Sequence, residues 1–273
     1  MNAPALSFRA ELTTLHALFQ RSMRASFTYK PALLMSLASY AFAFLIPLLV
    51  WRHVYAAKPQ QVLSSDQLFP YLVVAGCVNF CLAANVEARI SHRIRMGLIA
   101  TDLLRPVDFQ LAQLAQALSD GAFNLTLMLP IFGLSVLSWG RAALPHGVIA
   151  FAAFCVSGLL AFVILFAVSF IFVQASFVTY SGYGVFVARN ALQQTFSGLS
   201  APLALFPPAL RSLSEWLPFR HTVHTPAAIY LGWIAGDGIW RALGAQLLWA
   251  LALLLLGRKL LEFSLRRFEI QGG

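Results

Sequence analysis

The chain has 273 residues, of which 59% are hydrophobic and only 11% are charged. A soluble domain carries about 25% charged residues, so this composition excludes an ordinary water-soluble protein. The net charge of +9 would suggest nucleic-acid binding in a soluble protein. Here the basic residues lie at the ends of apolar runs, where they set the orientation of membrane spans.

Six apolar runs are candidates for transmembrane helices, because the hydrocarbon core requires roughly 20 apolar residues per helical span. They cover residues 32–54, 69–84, 111–139, 148–173, 185–205 and 243–256. The runs are continuously apolar, whereas a transmembrane barrel needs alternating segments of about ten residues. The sequence therefore predicts an all-α integral membrane protein with six transmembrane helices, in a single domain over residues 1–273.

Basic residues are distributed unequally between the two sides of these spans. Thirteen of the nineteen Lys and Arg residues fall on the side that holds both termini, and six fall on the other. Because short cytoplasmic loops are enriched in Lys and Arg, we expect both termini in the cytoplasm. Residues 1–30 carry apolar side chains at helical spacing, which favours an interfacial helix over a cytoplasmic helix packed on the bundle.

The loop between the second and third predicted spans, residues 88–106, is the first irregular segment of interest. Its cationic first half continues into a short apolar helix that Arg105-Pro106 would end. A short amphipathic helix flanked by charge suits docking into a groove on another protein. Contact with lipid headgroups alone is the alternative.

A second irregular segment follows the fifth predicted span and contains four prolines. Each proline removes a backbone donor, and broken backbone at membrane depth survives only inside protein or beside a wet cavity. We expect a re-entrant hairpin over residues 206–239 at the outer face, with a helix lying flat in the headgroups as the alternative. The apolar side chains expected to cap the bundle are Leu210, Leu213, Trp216 and Leu217.

Polar residues inside the predicted spans are candidates for lining a translocation path. Asp120 and Asn124 share one face of the third span, and an ionisable residue near a membrane span suggests a function. The alternative is that this end of the helix projects into the cytoplasm. Asn190, Gln193, Gln194 and Thr195 enter the fifth span, where they would contact either neighbouring helices or substrate. Asn190 and Gln194 are the candidates for the path.

Motifs of catalysis are absent from the sequence. None of the three lysines lies in a G-x-x-x-x-G-K frame, so these residues form no phosphate-binding loop. His221 and His224 have no Cys or acid nearby in sequence, and we predict no metal site and no cofactor. We therefore predict that the chain is not an enzyme, and that the energy for any work it performs comes from a partner or an ion gradient.

Two motifs resemble the type-2 (exporter) class of ABC transporter permeases. Arg95-Met96-Gly97-Leu98-Ile99, followed by Leu103-Leu104-Arg105-Pro106-Val107, is similar to that family's R-x-G-x-I…LLRPV signature. Its F-S-G…P-L…F-P…L-P-F…P…G segment is matched by Phe196-Ser197-Gly198, Pro202-Leu203, Phe206-Pro207, Leu217-Pro218-Phe219 and Pro226…Gly232. The family's usual Trp after the Ser-Phe of the fourth span is Ile171 here.

The resemblance implies the permease subunit of an ATP-driven exporter in a bacterial inner membrane. Its partners would be a second permease, identical or different, and a separate ABC ATP-binding subunit in two copies. Glu87 and Asp102 would pair with basic groups of the ATPase. The ATPase-coupling interface would comprise Arg93, Arg95, Gly97, Leu98, Asp102, Leu104, Arg105 and Pro106. The outer hairpin or gate would comprise Gly198, Pro202, Phe206, Pro207, Pro218 and Phe219.

Two other functional classes remain open at this point. An ion-coupled secondary transporter would use Asp120 as its coupling site. It would also show inverted repeats with a pair of broken segments, whereas the sequence contains one broken segment. A scaffold or assembly factor would need no ATPase. The small number of charges in the spans favours an apolar or amphipathic substrate without identifying it.

Overall fold

The computed structural model describes residues 8–28, 30–57, 63–139, 144–179 and 182–267. Within these ranges the chain forms α-helices, two short 3-10 segments at Leu203–Leu205 and Pro218–His221, and no strand. The α-helices are α1 (Phe8–Thr28), α2 (Lys30–Ala57), α3 (Ser65–Leu82), α4 (Val86–Arg95), α5 (Ile99–Leu103), α6 (Phe109–Trp139), α7 (Val148–Val173), α8 (Ser176–Thr179), α9 (Gly182–Phe196), α10 (Pro208–Glu215), α11 (His224–Tyr230) and α12 (Asp237–Arg267).

Three of the described stretches are long and apolar enough to cross a membrane: Ser65–Arg95, Val148–Val173 and Asp237–Arg266. They coincide with the second, fourth and sixth predicted spans. Helices α2 and α6, of 28 and 31 residues, coincide with the first and third. The all-α prediction is thus confirmed for the described residues, and the total of six spans stays a prediction.

The fifth predicted span, residues 185–205, is wrong in its second half. Helix α9 ends at Phe196, and the chain turns at Gly198, whose φ is 79°. A side chain on this residue would be strained, and its Cβ would lie 2.7 Å from the hydroxyl of Tyr71. The 15 residues of α9 extend only about 22 Å, which is shorter than a hydrocarbon core of about 30 Å.

Helix α7 lies at the centre of the bundle. It packs against α4, α9, α11 and α12, and its side chains Phe162, Phe166 and Phe170 are buried against α3 and α4 in the main hydrophobic core. Helix α1 lies along α6, where the rings of Phe27 and Phe123 meet edge to face at 4.7 Å. This packing attaches the N-terminal helix to the bundle, and its interfacial position stays a prediction.

Candidate functional site

Helices α4 and α5 form a tight elbow around Gly97, whose φ is 67°. We call residues 86–106 the α4–α5 elbow. The guanidinium of Arg93 on α4 holds the carboxylate of Asp102 on α5: Nη2 donates to Oδ1 at 2.7 Å, and Nε contacts Oδ2. Arg105 Nη2 lies 3.6 Å from the same Oδ1. These charge-assisted contacts fix the angle between the two helices.

The exposed surface of the elbow carries three large apolar side chains, while the side chains on its inner side are packed against the bundle. Met96, Leu98 and Leu104 are 62%, 41% and 72% exposed, whereas Ile99 is fully buried. The predicted coupling residues therefore separate into two groups. Arg93 and Asp102 form the internal clamp, and the exposed group is Arg95, Gly97, Leu98, Leu104, Arg105 and Pro106.

The prediction that Glu87 and Asp102 pair with basic groups of a partner is wrong for both residues. Glu87 is 1% exposed, and its Oε1 accepts a hydrogen bond from Arg189 Nε at 2.6 Å. Asp102 is 8% exposed and is occupied by Arg93. Because a buried charge is stabilised only with its counter-charge in place, neither carboxylate is available to another protein.

Two of the predicted path residues, Asp120 and Asn124, serve contacts between helices. Asp120 Oδ2 accepts from Arg89 Nη1 at 2.9 Å, and Arg89 Nε also donates to Gln113 at 3.3 Å. Asn124 Nδ2 donates to the carbonyls of Phe80 at 3.1 Å and Ala83 at 2.7 Å. Asn124 thus satisfies backbone acceptors where α3 ends and the chain breaks before α4.

A cavity of about 370 Å³ lies beside this break, and the other two predicted path residues, Asn190 and Gln194, line it. The cavity mixes aromatic rings with amides, hydroxyls and one guanidinium. Its lining consists of Ser39, Asn79, Leu82, Ala83, Ala84, Asn85, Val86, Phe162, Leu165, Phe166, Ser169, Phe186, Arg189, Asn190, Gln193, Gln194 and Leu199.

The sequence reasoning missed Arg189 as a member of this site. Arg189 pairs with Glu87 and lies 5.5 Å from the ring centre of Phe186. Gln193 follows Arg189 by four residues, the spacing that places side chains on one face of a helix. An arginine one turn before an amide in an apolar run was the available signal, but the charge was assigned to membrane orientation alone.

The segment after α9 is fastened to the bundle by polar contacts. Tyr71 on α3 donates its hydroxyl proton to the Gly198 carbonyl at 2.8 Å and lies 3.1 Å from His224 Nδ1. Its ring stacks on Trp233 with centres 5.1 Å apart. Since the Tyr71 proton is used on Gly198, we assign the proton between Tyr71 and His224 to the histidine. These contacts hold both ends of the hairpin against α3.

Two further hydrogen bonds connect the hairpin to the helices around it. Gln193 Nε2 on α9 donates to Thr222 Oγ1 at 2.8 Å. Gln246 Nε2 on α12 donates to the carbonyls of His221 at 2.8 Å and Ser157 at 3.1 Å. The hairpin is therefore hydrogen-bonded to α9 and α12, and α12 is hydrogen-bonded in turn to α7.

The predicted hairpin residues occupy different depths. Gly198, Pro202, Pro218 and Phe219 are buried, Phe206 is half-buried, and Pro207 is exposed. Of the four apolar side chains expected to cap the bundle, Leu217 packs against the cluster around Phe219, whereas Leu210, Leu213 and Trp216 are exposed. Leu213 is 48% and Trp216 is 82% exposed, whereas Ser214 is fully buried. Helix α10 therefore directs the side chain of Ser214 toward the protein and its apolar side chains outward.

The two hairpin histidines are neutral at physiological pH. Burial, reinforced by the positive charge of Arg220, lowers the pKa of His224 to about 3 and the pKa of His221 to about 4. Across the described ranges no group of three or more His, Cys, Asp or Glu side chains is placed to hold a metal ion.

Comparison with known proteins extends the resemblance drawn from the two short motifs. The family described as ABC-2 family transporter protein matches residues 60–272. This range contains the α4–α5 elbow, the hairpin and nearly all of the cavity lining. A search of curated proteins finds no match to the chain.

Proposed function

Because the chain belongs to the ABC-2 family of transporter proteins, we propose that it is the membrane-spanning permease subunit of an ATP-driven exporter. It works with a second permease, identical or different, and with a separate ABC ATP-binding subunit in two copies. Its place is the bacterial inner membrane, with both termini in the cytoplasm. The energy-yielding step, hydrolysis of ATP, takes place in the partner.

The structure of the α4–α5 elbow is the main support for this proposal. Its clamp of Arg93 on Asp102 gives it a fixed shape without any partner. At the same time Met96, Leu98 and Leu104 extend from it uncovered. A rigid element with a small apolar surface and charged surroundings suits a protein groove, where a few buried side chains supply most of the binding energy.

A continuous series of contacts between side chains connects the elbow to the cavity. Glu87 on α4 binds Arg189 on α9, and Gly182 at the start of α9 packs so closely on Ser91 that an added Cβ would clash. From α9, Gln193 reaches Thr222 in the hairpin. When the partner moves the elbow, α4 and α9 move together as rigid bodies and change the access to the cavity.

The ion-coupled alternative gains no support from the surroundings of Asp120. A coupling carboxylate has to exchange a proton or a cation during transport. Here the carboxylate is engaged by Arg89 at 2.9 Å. The counter-charge that an ion would supply is already provided by the protein.

Affinity purification from native membranes tests the proposed function. A tagged chain is expected to retain a P-loop ATPase that hydrolyses ATP. Leu98→Asp places a charge on the apolar surface of the elbow and should reduce the retained ATPase about tenfold or more, the range of a binding hot spot. Leu98→Met keeps the surface apolar and serves as the matched control. Equal retention by both variants contradicts the docking role of the elbow.

A further inference from the structure

The cavity beside α9 contains more hydrogen-bonding capacity than the protein itself uses. The side chains of Asn79, Asn85 and Gln194 make no hydrogen bond to any other described residue. Within the same ranges the buried Oε1 of Gln193 also has no partner, because its Nε2 is the group bound to Thr222. Asn85 and Gln194 are exposed and Asn79 is half-buried, whereas Gln193 is buried. A buried polar atom is normally hydrogen-bonded, so the unpartnered Oε1 of Gln193 indicates a ligand.

The charge of the lining restricts the ligand. Among the described residues around the cavity Arg189 alone is charged, and Glu87 neutralises it at 2.6 Å. A cation would find no free carboxylate. An anion would have to compete with Glu87 for the guanidinium and would leave a buried carboxylate without its counter-charge, which is strongly unfavourable. The lining therefore selects an uncharged molecule.

The shape and polarity of the lining indicate what the uncharged molecule carries. Phe162, Phe166 and Phe186 supply an apolar wall. The unused amides in the lining offer donors and acceptors together, and hydroxyl or amide groups of a ligand satisfy both. The volume of about 370 Å³ lies within the range of small-molecule sites, about 300–1,000 Å³. Gln194 is exposed, so the cavity opens to the surface beside α9.

We propose that this cavity binds an uncharged amphiphile bearing hydroxyl or amide groups on an apolar framework. Only the identification of this molecule as the transported substrate rests on the proposed function. Binding itself requires neither ATP nor the ATPase. If the cavity does not bind the probe, retention of the ATPase is unaffected, so failure of this inference can be distinguished from failure of the proposed function.

Protection of a cysteine in the cavity tests the proposal on the full chain in lipid nanodiscs. Ser39 is exposed and lines the cavity without being one of the unused amides. Ser39→Cys is introduced after Cys77, Cys81 and Cys155 are replaced by alanine, and its rate of reaction with a charged thiol reagent is measured. Three probes with the same alkyl chain are compared below their micelle-forming concentrations: octyl glucoside, octyltrimethylammonium and octyl sulfate.

Octyl glucoside is expected to slow the labelling at least about fivefold in a saturable manner, and neither charged probe should do so. Gln194→Leu and Asn79→Leu each remove a hydrogen-bonding group and should raise the half-protecting concentration about tenfold. Thr195→Val, on the exposed neighbour of Gln194, is the control and should leave it unchanged. Equal protection by all three probes, stronger protection by a charged probe, or no protection by octyl glucoside overturns the proposal.

Discussion

Arg189 Nε on α9 lies 2.6 Å from Glu87 Oε1 on α4, and both side chains are buried. The two residues are separated by 102 positions in the chain, so the contact forms only when the elbow and the cavity wall have assembled. It joins the surface proposed to receive the ATPase to the helix that lines the cavity.

Removal of one member of this pair is expected to destabilise the protein strongly. Arg189→Met leaves Glu87 as a buried, unpaired charge and should cost about 3 kcal/mol or more. The exposed pair of Arg258 with Asp108, at 3.3 Å, is the matched comparison. Arg258→Met should cost under about 1 kcal/mol. Thermal unfolding in detergent measures both losses, and equal losses would show that the buried pair has no special weight.

The sequence predicted the helices well because their apolar runs are long, and it failed where tertiary contacts decide. Helix α9 ends at Phe196 although the apolar run continues, because Gly198 has to turn the chain against Tyr71. Nothing in the local pattern reports that contact.

The same limit applies to the candidate site. Asn190 and Gln194 were identified because amides in an apolar span are conspicuous. Glu87 and Asp102 were assigned to a partner because the sequence does not show that Arg189 and Arg93, on other helices of the same chain, neutralise them. A sequence displays charges one by one, and only the fold shows which of them neutralise each other.

Acid is expected to weaken the hairpin. His221 and His224 have folded-state pKa values of about 4 and about 3, against 6.5 for an unperturbed histidine. Above that value both states are neutral. As the pH falls below it, the unfolded chain takes up protons that the folded hairpin excludes, so stability is lost.

The melting temperature should therefore decline between about pH 7 and about pH 5, before most carboxylates titrate. In His224→Asn the decline should be smaller, because one of the two neutral histidines has been removed. An identical decline in this variant would assign the pH dependence to other groups.

Helix α10 is expected to expose one side of its surface and to protect the other. Leu213 is 48% exposed and its neighbour Ser214 is fully buried. A membrane-permeant maleimide should label Leu213→Cys readily and Ser214→Cys at least about tenfold more slowly, since buried groups react only after local opening. The reverse order would mean that the apolar face of α10 packs on the bundle.

Topology is accessible to impermeant thiol reagents in intact cells and in inverted vesicles. The asymmetry of basic residues predicts that Arg266 lies in the cytoplasm and Ser65 on the outer side. Both positions are exposed at the ends of long helices. Cysteine at position 65 should react from outside and cysteine at position 266 from inside. Reaction of both from the same side is incompatible with cytoplasmic termini and an even number of spans.

Photo-crosslinking at Leu98 tests most directly the central claim that this permease is driven by an ATPase docked on the elbow. A photoreactive amino acid replaces Leu98 in native membranes, and the same residue at Leu248, a 71% exposed position of α12, serves as the control. The Leu98 position is predicted to crosslink to a protein with a nucleotide-binding P-loop, and the Leu248 position is not. Crosslinks from Leu98 to lipid alone would contradict the claim.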